Sequence, residues 1–550
     1  MKNTILKIHP DDNAIVALVD LKAGDSPVFE SESFEIKENI AAKHKFAAVD
    51  LAEDAPVYMY GVLVGKTTSA IKKGHRLTTT NLKHASSSYS VGERNTHWNK
   101  PDFSKWKGLT FNGYHRHDGS VGTANYWIVV PMVFCENRNL EVMREALVNQ
   151  LGYGRNNNYQ QQAKSLIDLY KTGASVEEIL QMEIGQQEDN PQAERLFTNV
   201  DGVKFLTHAM GCGGTRDDSQ ALCALLAGYI THPNVAGATV LSLGCQHAQV
   251  SMLQAEIKKR TPDFKKPLFI LDQQKTGTEA ELLSHAIKQT FVGLVEANKC
   301  KREPAPLSKL CIGLECGGSD GFSGISANPA IGYTSDLLVA LGGTVILSEF
   351  PELCGVEQNL SDRCVDNSIA ERFSLLMQAY SNSAEAVGSG FDMNPSPGNI
   401  KDGLITDAIK SAGAAKKGGT SPITDVLDYP EKVTRSGLNL LCTPGNDVES
   451  TSAEVAAGAN IVLFTTGLGT PTGNPIAPVV KIATNTQLFN RMHDIMDIDT
   501  GSIITGDETI EQAGARILDY VIKVASGEIT VATVRHGQDD FIPWKRGVSL

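Results

Sequence analysis

The segment Gly313-Leu-Glu-Cys-Gly-Gly-Ser-Asp-Gly-Phe-Ser-Gly-Ile-Ser-Ala-Asn-Pro329 says most about the fold of this 550-residue chain. It follows a short apolar run, which predicts a strand that ends at Glu315. Its glycines let the backbone approach a ligand closely. Acidic, thiol and hydrogen-bonding groups stand among them: Cys316, Ser319, Asp320 and Asn328. The pattern predicts an active-site loop at the end of a sheet strand.

The same order of apolar strand and glycine-rich turn recurs in residues 108–300 and again in residues 301–550. Strands that alternate with helices predict parallel sheets, with functional loops at the carboxyl ends of the strands. Cys212, Cys245 and Asp272 follow three such strands, so we expect them at one edge of a sheet. Residues 140–200 fit the pattern poorly and predict an insertion, either a surface helical elaboration or oligomer contact, or a lid over the site.

Residues 1–85 differ from the rest because short apolar runs alternate there with Gly, Asp and Pro turns. Few windows hold a helical period, which predicts a small β-rich domain. Residues 86–107 are polar and aperiodic, as in an exposed linker. The predicted fold class is therefore α/β, with a small N-terminal β-rich domain followed by two α/β units with largely parallel sheets.

Composition limits the possible partners. Hydrophobic residues make up 41% and charged residues 21% of the chain, which is typical of a globular protein. The formal charge of −13 argues against a nucleic-acid partner. No apolar segment approaches the roughly 20 residues that span a bilayer, so we expect no membrane partner. Lys7 interrupts the first hydrophobic run, and ten cysteines occur without CxxC spacing, which together predict a cytoplasmic protein with reduced thiols.

Several separated motifs carry a family resemblance. In chain order they are His44-Lys-Phe46, Asp118-Gly-Ser-Val-Gly122, Gly211-Cys-Gly213, Leu243-Gly-Cys245, Gly313 to Tyr333, Asn394-Pro-Ser-Pro-Gly-Asn399 and Lys481-Ile-Ala-Thr484. Together, across almost the whole chain, they resemble the altronate and galactarate dehydratases, which are bacterial sugar-acid lyases. The resemblance implies that the N-terminal domain is a SAF-type module. It also implies an anionic sugar acid as substrate and iron(II) or manganese(II) as cofactor.

Dehydration of a sugar acid removes the hydrogen next to the carboxylate and expels the neighbouring hydroxyl. A divalent metal can stabilise the enediolate while one residue acts as base and another protonates the departing hydroxyl. Asp320 and Glu349 are candidates because each follows an apolar strand, where partial burial would raise a carboxyl pKa. For Glu349 the competing interpretation is an ion pair at a helix start or domain interface. His44 is the third catalytic candidate, on the resemblance and its neighbours Lys43 and Lys45.

The candidate metal ligands divide by chemistry. Cys212, Cys245 and Cys316 each stand beside glycine at a predicted strand end, and thiolates favour iron or zinc. Imidazole and carboxylate groups suit manganese or ferrous iron instead: His44, His247, Asp320 and Glu349. We assign the metal to Cys212, Cys245, Cys316 and His247, with an iron–sulfur cluster on the three thiols as the alternative. Each cysteine is otherwise explained as a small buried apolar residue.

Substrate contacts are predicted at Lys45, Ser319, Asn328, Asn399 and Lys401. Asn328 precedes Pro329 and would either orient a substrate hydroxyl or cap the helix that follows. The two prolines of the 394–399 segment make a rigid loop, which would serve equally as a structural turn. Lys401 would then pair with the substrate carboxylate.

The chain departs from many relatives at three positions. Gln246, Ala124 and Leu468 stand where relatives have an acid and two cations. Fewer fixed cations favour altronate, with one carboxylate, over galactarate, with two; the product would be 2-keto-3-deoxygluconate. Compensation by His115, Arg116 or His117 is the other possibility.

Two other function classes remain. A nicotinamide-dependent oxidoreductase is disfavoured because no Gly-x-Gly-x-x-Gly follows a strand with an acidic residue about 20 positions later. A catalytically silent binding protein is supported only by the three departures. The sequence is also compatible with a homo-oligomer.

Overall fold

The computed structural model describes residues 3–154, 158–183 and 194–550. The central part of the Asn- and Gln-rich run near residue 155 lies outside the described residues. Of the described residues, no helix is long and apolar enough to cross a membrane.

The N-terminal domain is built from short antiparallel strands. They are β1 (Ile5–Leu6), β2 (Ala14–Ala17), β3 (Val28–Phe29), β4 (Glu32–Ser33), β5 (Lys45–Ala47), β6 (Pro56–Met59), β7 (Val62–Thr67), β8 (Arg76–Leu77) and β9 (Leu82–Lys83). They form sheets in the orders β1-β2-β5-β8, β6-β7-β9 and β3-β4. Residues of β6 alternate between exposed and buried, as expected for a strand with one face on a core. The predicted β-rich domain is confirmed.

The second region begins with β10 (Thr110–His115), β11 (Val121–Gly122) and β12 (Tyr126–Pro131). It continues with α1 (Asn137–Leu147), α2 (Asn158–Lys171), α3 (Val176–Leu180), β13 (Gly202–Phe205), α4 (Arg216–Thr231), β14 (Val235–Ser242), α5 (Val250–Arg260), β15 (Leu268–Asp272), α6 (Gln273–Thr276), α7 (Glu279–Ala297) and β16 (Arg302–Pro306). A parallel sheet runs in the order β13-β12-β14-β15, and a small antiparallel sheet joins β10 to β11 and β16.

Strand β12 is buried along its whole length because helices cover both faces of the sheet. Its alternate residues point to opposite faces. Ile128 and Val130 join a core that includes α4, whereas Trp127 and Val129 join a separate core beneath α1 and α7. The described part of the 140–200 insertion contains the end of α1 together with α2 and α3, and its role as a surface elaboration, an oligomer contact or a lid stays a prediction.

The C-terminal region contains β17 (Cys311–Cys316), α8 (Ala327–Ala340), β18 (Thr344–Leu347), α9 (Glu357–Arg363), α10 (Asn367–Glu385), α11 (Pro397–Lys401), α12 (Asp407–Ala414), β19 (Ile423–Leu427) and β20 (Gly437–Leu441). It continues with α13 (Asp447–Ala457), β21 (Ile461–Thr466), β22 (Val479–Ala483), α14 (Thr486–Arg491), β23 (Ile498–Asp499), α15 (Gly501–Thr505), α16 (Ile510–Ala525) and α17 (Ala532–His536). Seven parallel strands form one sheet in the order β19-β20-β18-β17-β21-β22-β23. The predicted second α/β unit is confirmed.

The two α/β units share a hydrophobic core, in which α4 of the second region packs against α13 of the C-terminal region. The mostly exposed 86–107 segment is also attached to the C-terminal unit. The Asn95 amide donates to the Asp362 carbonyl, and the Trp106 indole donates to Asp519. The segment therefore packs along the surface of the C-terminal unit.

Candidate functional site

The glycine-rich loop leaves β17 one residue later than the sequence predicts, after Cys316, and leads into α8. Glycine is required here by crowding rather than by flexibility. A Cβ on Gly317 would lie 1.9 Å from Asp447 Oδ2, and a Cβ on Gly467 would lie 2.2 Å from Asp320 Cγ. The loop is therefore pressed between side chains of the carboxyl edge of the sheet.

Asp320 is fully buried at the centre of this loop. Its oxygens accept five hydrogen bonds, from the Phe322 amide, Ser323 Oγ, Thr484 Oγ1, the Asn485 side-chain amide and Lys43 Nζ. The donors come from the loop itself, from the end of β22 and from the N-terminal domain. Asp320 therefore ties three parts of the chain together.

The N-terminal domain brings His44 and Lys45 to the same place. His44 Nε2 lies 3.0 Å from the Lys401 carbonyl oxygen, and burial lowers the pKa of this imidazole. Lys45 Nζ donates to the Gly403 carbonyl at 2.6 Å. Burial lowers the pKa of Lys45 to about 7, although the Asp320 charge opposes the shift.

Two of the predicted substrate contacts, Asn399 and Asn328, use their side-chain amides in hydrogen bonds within the protein. The Asn399 amide donates to the Ser319 carbonyl at 2.7 Å, while its oxygen completes the cap of α11. Asn328 lies in the first turn of α8, donates to the Gly413 carbonyl and accepts from Thr465 Oγ1. Lys401 is exposed. Both amides thus join loops around the site.

A second set of charged groups lies fully buried at the ends of β17 and β18. Glu349 has a left-handed backbone, with φ of 63°. Lys417 Nζ lies 2.7 Å from Glu349 Oε2 and 2.9 Å from Cys316 Sγ. Cys316 Sγ donates to Glu352 Oε2 at 3.1 Å, and Lys410 Nζ lies 2.6 Å from Glu352 Oε1. Glu349 thus forms an ion pair at the start of a short helical turn, and its role in catalysis stays a prediction.

Three more carboxyl groups and one lysine adjoin this set. Glu315 and one oxygen of Glu349 accept no hydrogen bond from another donor group of the described residues, and the two carboxyl groups lie close enough to share a proton. Burial and the neighbouring Glu349 raise the pKa of Asp447 to about 7, and burial raises the pKa of Glu454 to about 8. Burial lowers the pKa of Lys481 to about 7, and its Nζ lies over the Phe464 ring without a hydrogen bond from the described chain.

The charges of this cluster do not balance. Its five carboxyl groups face three lysines, so full ionisation would leave two negative charges in excess. The carboxyl groups are Glu315, Glu349, Glu352, Asp447 and Glu454, and the lysines are Lys410, Lys417 and Lys481. Uncompensated buried charge is costly, so the cluster requires bound protons or a divalent cation.

Two groups of described residues come close enough to hold a cation. The ligand atoms of Glu315, Glu349 and Asp447 lie within 4.8 Å of one another, as do those of Cys316, Glu349 and Glu352. In the second group Lys417 already contacts both Cys316 and Glu349. Glu349 also belongs to the first group, but Lys417 contacts only its Oε2, and the first group consists of carboxylates alone. It is the better match to a hard divalent cation.

The other predicted ligands lie in the second region. Cys212, Cys245 and His247 are exposed, and none belongs to either group. Their loops do meet, because the Ala248 amide donates to the Gly211 carbonyl at 3.1 Å. Cys212 and Cys245 follow β13 and β14, and Asp272 ends β15, so the parallel sheet carries these three residues to one edge, as expected.

An iron–sulfur cluster would need several of these thiols together. Neither of the two groups in the described chain contains more than one cysteine. Cys316 is buried under Lys417 and Glu352, whereas Cys212 and Cys245 are exposed.

Sequence reasoning missed much of the buried cluster. The local pattern marks Glu315 only as a strand end, and it does not single out Glu352, Asp447, Lys410 or Lys417. One signal was available, namely an acidic residue inside the apolar run Cys311-Ile-Gly-Leu-Glu-Cys316. A charge at the core of a parallel sheet is rarely tolerated without a function.

The three departures from relatives have distinct surroundings. Gln246 is buried and bonded to the Gly244 amide and Ser242 Oγ, and Ala124 is buried. The hydrogen bonds of Arg116 go to Pro233, Ala124, Asn125 and Cys300. None of these residues belongs to the loops around Asp320. Leu468 alone touches the loop of Asp320, since its amide donates to the Gly318 carbonyl.

Comparison with known proteins gives a consistent result. Three family models match in order: the altronate/galactarate dehydratase SAF domain at residues 3–85, the second domain of D-galactarate dehydratase/altronate hydrolase at 113–298, and the C-terminal domain of D-galactarate/altronate dehydratase at 307–549.

Similar proteins extend over nearly the full length. An altronate dehydratase of Bacillus subtilis is 33% identical over all of both chains, and one of Escherichia coli is 32% identical over 99% of both. A galactarate dehydratase (L-threo-forming) of Escherichia coli is 31% identical over 95% of this chain and 93% of its own.

Proposed function

Because the chain belongs to the D-galactarate/altronate dehydratase family of hydro-lyases, we propose that it removes water from D-altronate to give 2-keto-3-deoxy-D-gluconate. The observation that carries the proposal is the buried carboxyl cluster at the ends of β17 and β18, directly under the loop of Asp320. Strongly perturbed carboxyl groups at the carboxyl edge of a parallel sheet are typical of catalytic sites.

A divalent cation, iron(II) or manganese(II), fits this cluster. Glu315, Glu349 and Asp447 would hold it in place of the proton that Glu315 and Glu349 can otherwise share, because their ligand atoms lie within 4.8 Å of one another. Two positive charges would also balance the excess of carboxylates. When bound, the cation would stabilise negative charge on the substrate carboxylate during proton removal.

His44 is the proposed proton-transferring residue. A carbonyl oxygen can only accept, so the hydrogen lies on Nε2, which donates to Lys401, and Nδ1 keeps its lone pair. The lowered pKa keeps the ring neutral near pH 7. Nδ1 takes the proton next to the carboxylate, the carbon–oxygen bond to the neighbouring hydroxyl breaks, and the imidazolium returns the proton so that water leaves.

The remaining predicted residues have supporting roles in this proposal. Asp320 and Asn399 hold the loops together through the bonds described above. Lys45, Ser319, Asn328 and Lys401 stay proposed substrate contacts, and Lys401 is the most exposed of the cations at the loop edge. Cys316 lies between Lys417 and Glu352, beside the proposed cation ligands.

Leu468 supports a substrate with one carboxylate. Its Cδ1 lies 3.7 Å from where a Cβ would stand on Gly398, and its amide bonds to Gly318. It thus lines the space between the loops of Ser319 and Asn399 with an apolar side chain. Galactarate is the second candidate, since one relative is named for that substrate.

The proposal includes a cytoplasmic location and a homo-oligomeric assembly. All ten cysteines are free, which supports a reducing cytoplasm. Large apolar residues on α2 and α3 are exposed, including Tyr170 at 77% and Leu180 at 79%, which supports a homo-oligomer that covers them. Light scattering of the purified protein tests the second point.

The central test is a substrate panel. The purified protein is incubated anaerobically with hexonates and hexarates and with iron(II) or manganese(II), and 2-keto acid formation is measured. D-Altronate should react fastest. His44→Gln, which keeps a donor for Lys401 but has no proton-accepting nitrogen, should lower kcat by about 100-fold or more. His75→Gln, on the same domain, should not. No 2-keto acid from any substrate would refute the proposal and favour a silent binding protein.

A further inference from the structure

Lys43 lies at the contact between the N-terminal domain and the C-terminal unit, one residue before His44. Its backbone is left-handed, with φ of 75°, a conformation that residues with a Cβ rarely adopt. Such strain persists only where the surroundings impose it. The turn therefore has a constrained shape rather than a free one.

The Lys43 carbonyl explains part of the constraint. A Cβ on Gly321 would lie 2.4 Å from this oxygen, and a Cβ on Gly403 would lie at the same distance. Any larger residue at either position would push the carbonyl away. The two glycines belong to two different loops of the C-terminal unit, which meet through the Gly321 amide and the Asp402 carbonyl at 2.8 Å.

The side chain of Lys43 joins the same two loops. Its Nζ lies 3.0 Å from Asp320 Oδ2 and 3.1 Å from Asp402 Oδ1, and the side chain is only 19% exposed. Burial alone would lower the pKa of Lys43, but the two carboxylates outweigh burial and raise it. A partly buried cation between two anions is bound more strongly than a surface ion pair.

We propose that Lys43 is a positioning residue of the dehydration site, which fixes the 319–321 and 402–403 segments against each other and against His44. The proposal rests on the proposed function for its kinetic part only. Because His44 follows Lys43 directly and bonds to Lys401, a shift of either loop would move the imidazole relative to the substrate. A displacement of about 1 Å at a reacting group costs about 100-fold in rate.

The test compares Lys43→Met, Lys43→Arg and Asp402→Asn with Lys72→Met as the matched control. Lys72 is also a lysine of the N-terminal domain in an ion pair, with Asp50, but it is 74% exposed. Two readouts are taken on the full-length protein. The first is kcat and KM for the best sugar acid, and the second is hydrogen exchange, without substrate, in peptides covering residues 317–326 and 398–404.

Lys43→Met should lower kcat by about 100-fold with KM within about threefold, and should speed exchange in both peptides by about tenfold. Lys43→Arg should restore most of both losses. Asp402→Asn, which removes one of the two anions, should show smaller changes in the same direction. Lys72→Met should match the parent protein.

Wild-type exchange in Lys43→Met would overturn the inference, as would an unchanged kcat. Equal losses in Lys43→Arg and Lys43→Met would also overturn it, because charge would then not matter. If the parent protein dehydrates no sugar acid, the proposed function fails, while the exchange data still decide whether Lys43 joins the two loops.

Discussion

The edge of the second-region sheet and the edge of the C-terminal sheet look alike in sequence but differ in what they bury. Both follow parallel strands and both carry a cysteine beside glycine. In the second region Cys212, Cys245 and His247 are exposed. In the C-terminal unit Glu315 and Glu349 are completely buried. Similar loops thus acquire different chemistry through the residues that they bury.

The difference identifies the edge at which catalysis is expected. A buried carboxylate costs several kcal/mol unless it is paired, so a fold keeps such a group only where partners or a cation compensate it. The C-terminal edge retains more carboxyl groups than lysines. The candidate ligands of the second-region edge require no such compensation, because Cys212, Cys245 and His247 are exposed to water. Variants at the two edges should therefore differ in their effects on catalysis, cation binding and stability.

The largest expected effect is on turnover. Glu349→Gln removes one charge and one proposed cation ligand from the buried cluster, and should lower kcat by about 1,000-fold because the cation would stabilise the charge that develops during proton removal. Cys245→Ser at the other edge should stay within about twofold. Steady-state 2-keto acid formation measures both, with circular dichroism to confirm that Glu349→Gln is folded. Equal losses at the two edges would show that both belong to one catalytic centre.

The next effect is on cation affinity. Glu315→Gln replaces one of the three proposed cation ligands, which lies beside the Glu349 carboxyl. The variant should bind manganese(II) about 100-fold more weakly, since loss of a ligand should cost at least as much as loss of its supporting hydrogen bond. Electron paramagnetic resonance of free manganese measures the affinity directly.

Cys212→Ser is the control for that titration and should bind manganese(II) like the parent protein. If the serine variant loses affinity and Glu315→Gln does not, the cation belongs at the thiol edge. The contrast between the two edges would then be reversed.

The third effect concerns stability against pH, where the two edges differ in sign. Burial lowers the pKa of His208, beside the second-region edge, from 6.5 to about 4. The unfolded chain binds this proton first, so the stability is fully present above pH 6.5 and falls as the pH is lowered towards 4. Between pH 7 and pH 5 the loss should be about 2 kcal/mol.

Urea unfolding of the parent protein and of His208→Gln at several pH values checks this contribution. The glutamine variant should lack this loss, so the stability of the parent relative to the variant should fall by about 2 kcal/mol between pH 7 and pH 5. At the C-terminal edge the pKa of Glu454 is raised to about 8, so Glu454→Gln should gain stability relative to the parent as the pH rises above 4.5. Parallel curves for all three proteins would contradict both assignments.

Whether a feature of the fold or of the site can be predicted depends on how far apart its contacting residues lie in the sequence. Strand β17, its loop and the parallel sheets follow from local patterns of apolar residues and glycines. The contacts of Cys316 do not, because Lys417 comes from about a hundred residues further along the chain. Lys43 reaches Asp320 from another domain. Such pairs are set by tertiary packing, which no local pattern contains.

The three candidate thiols show the same limit of prediction from local sequence. Cys212, Cys245 and Cys316 have the same local setting in sequence, a glycine after a strand. Only the fold makes two of them exposed and the third buried among charges. A residue type and its neighbours therefore predict a candidate ligand, whereas burial and charge balance decide which candidate can hold a cation.

The smallest expected effect is on substrate choice at Leu468, the apolar residue between the loops of Ser319 and Asn399. Leu468→Arg adds a cation that could meet a second carboxylate, and a half-buried ion pair of about 1.4 kcal/mol corresponds to a tenfold change. The ratio of kcat/KM for galactarate to that for altronate should therefore rise about tenfold. Leu468→Met keeps the volume without the charge and should leave the ratio unchanged. If both variants shift the ratio alike, packing rather than charge at this edge selects the substrate.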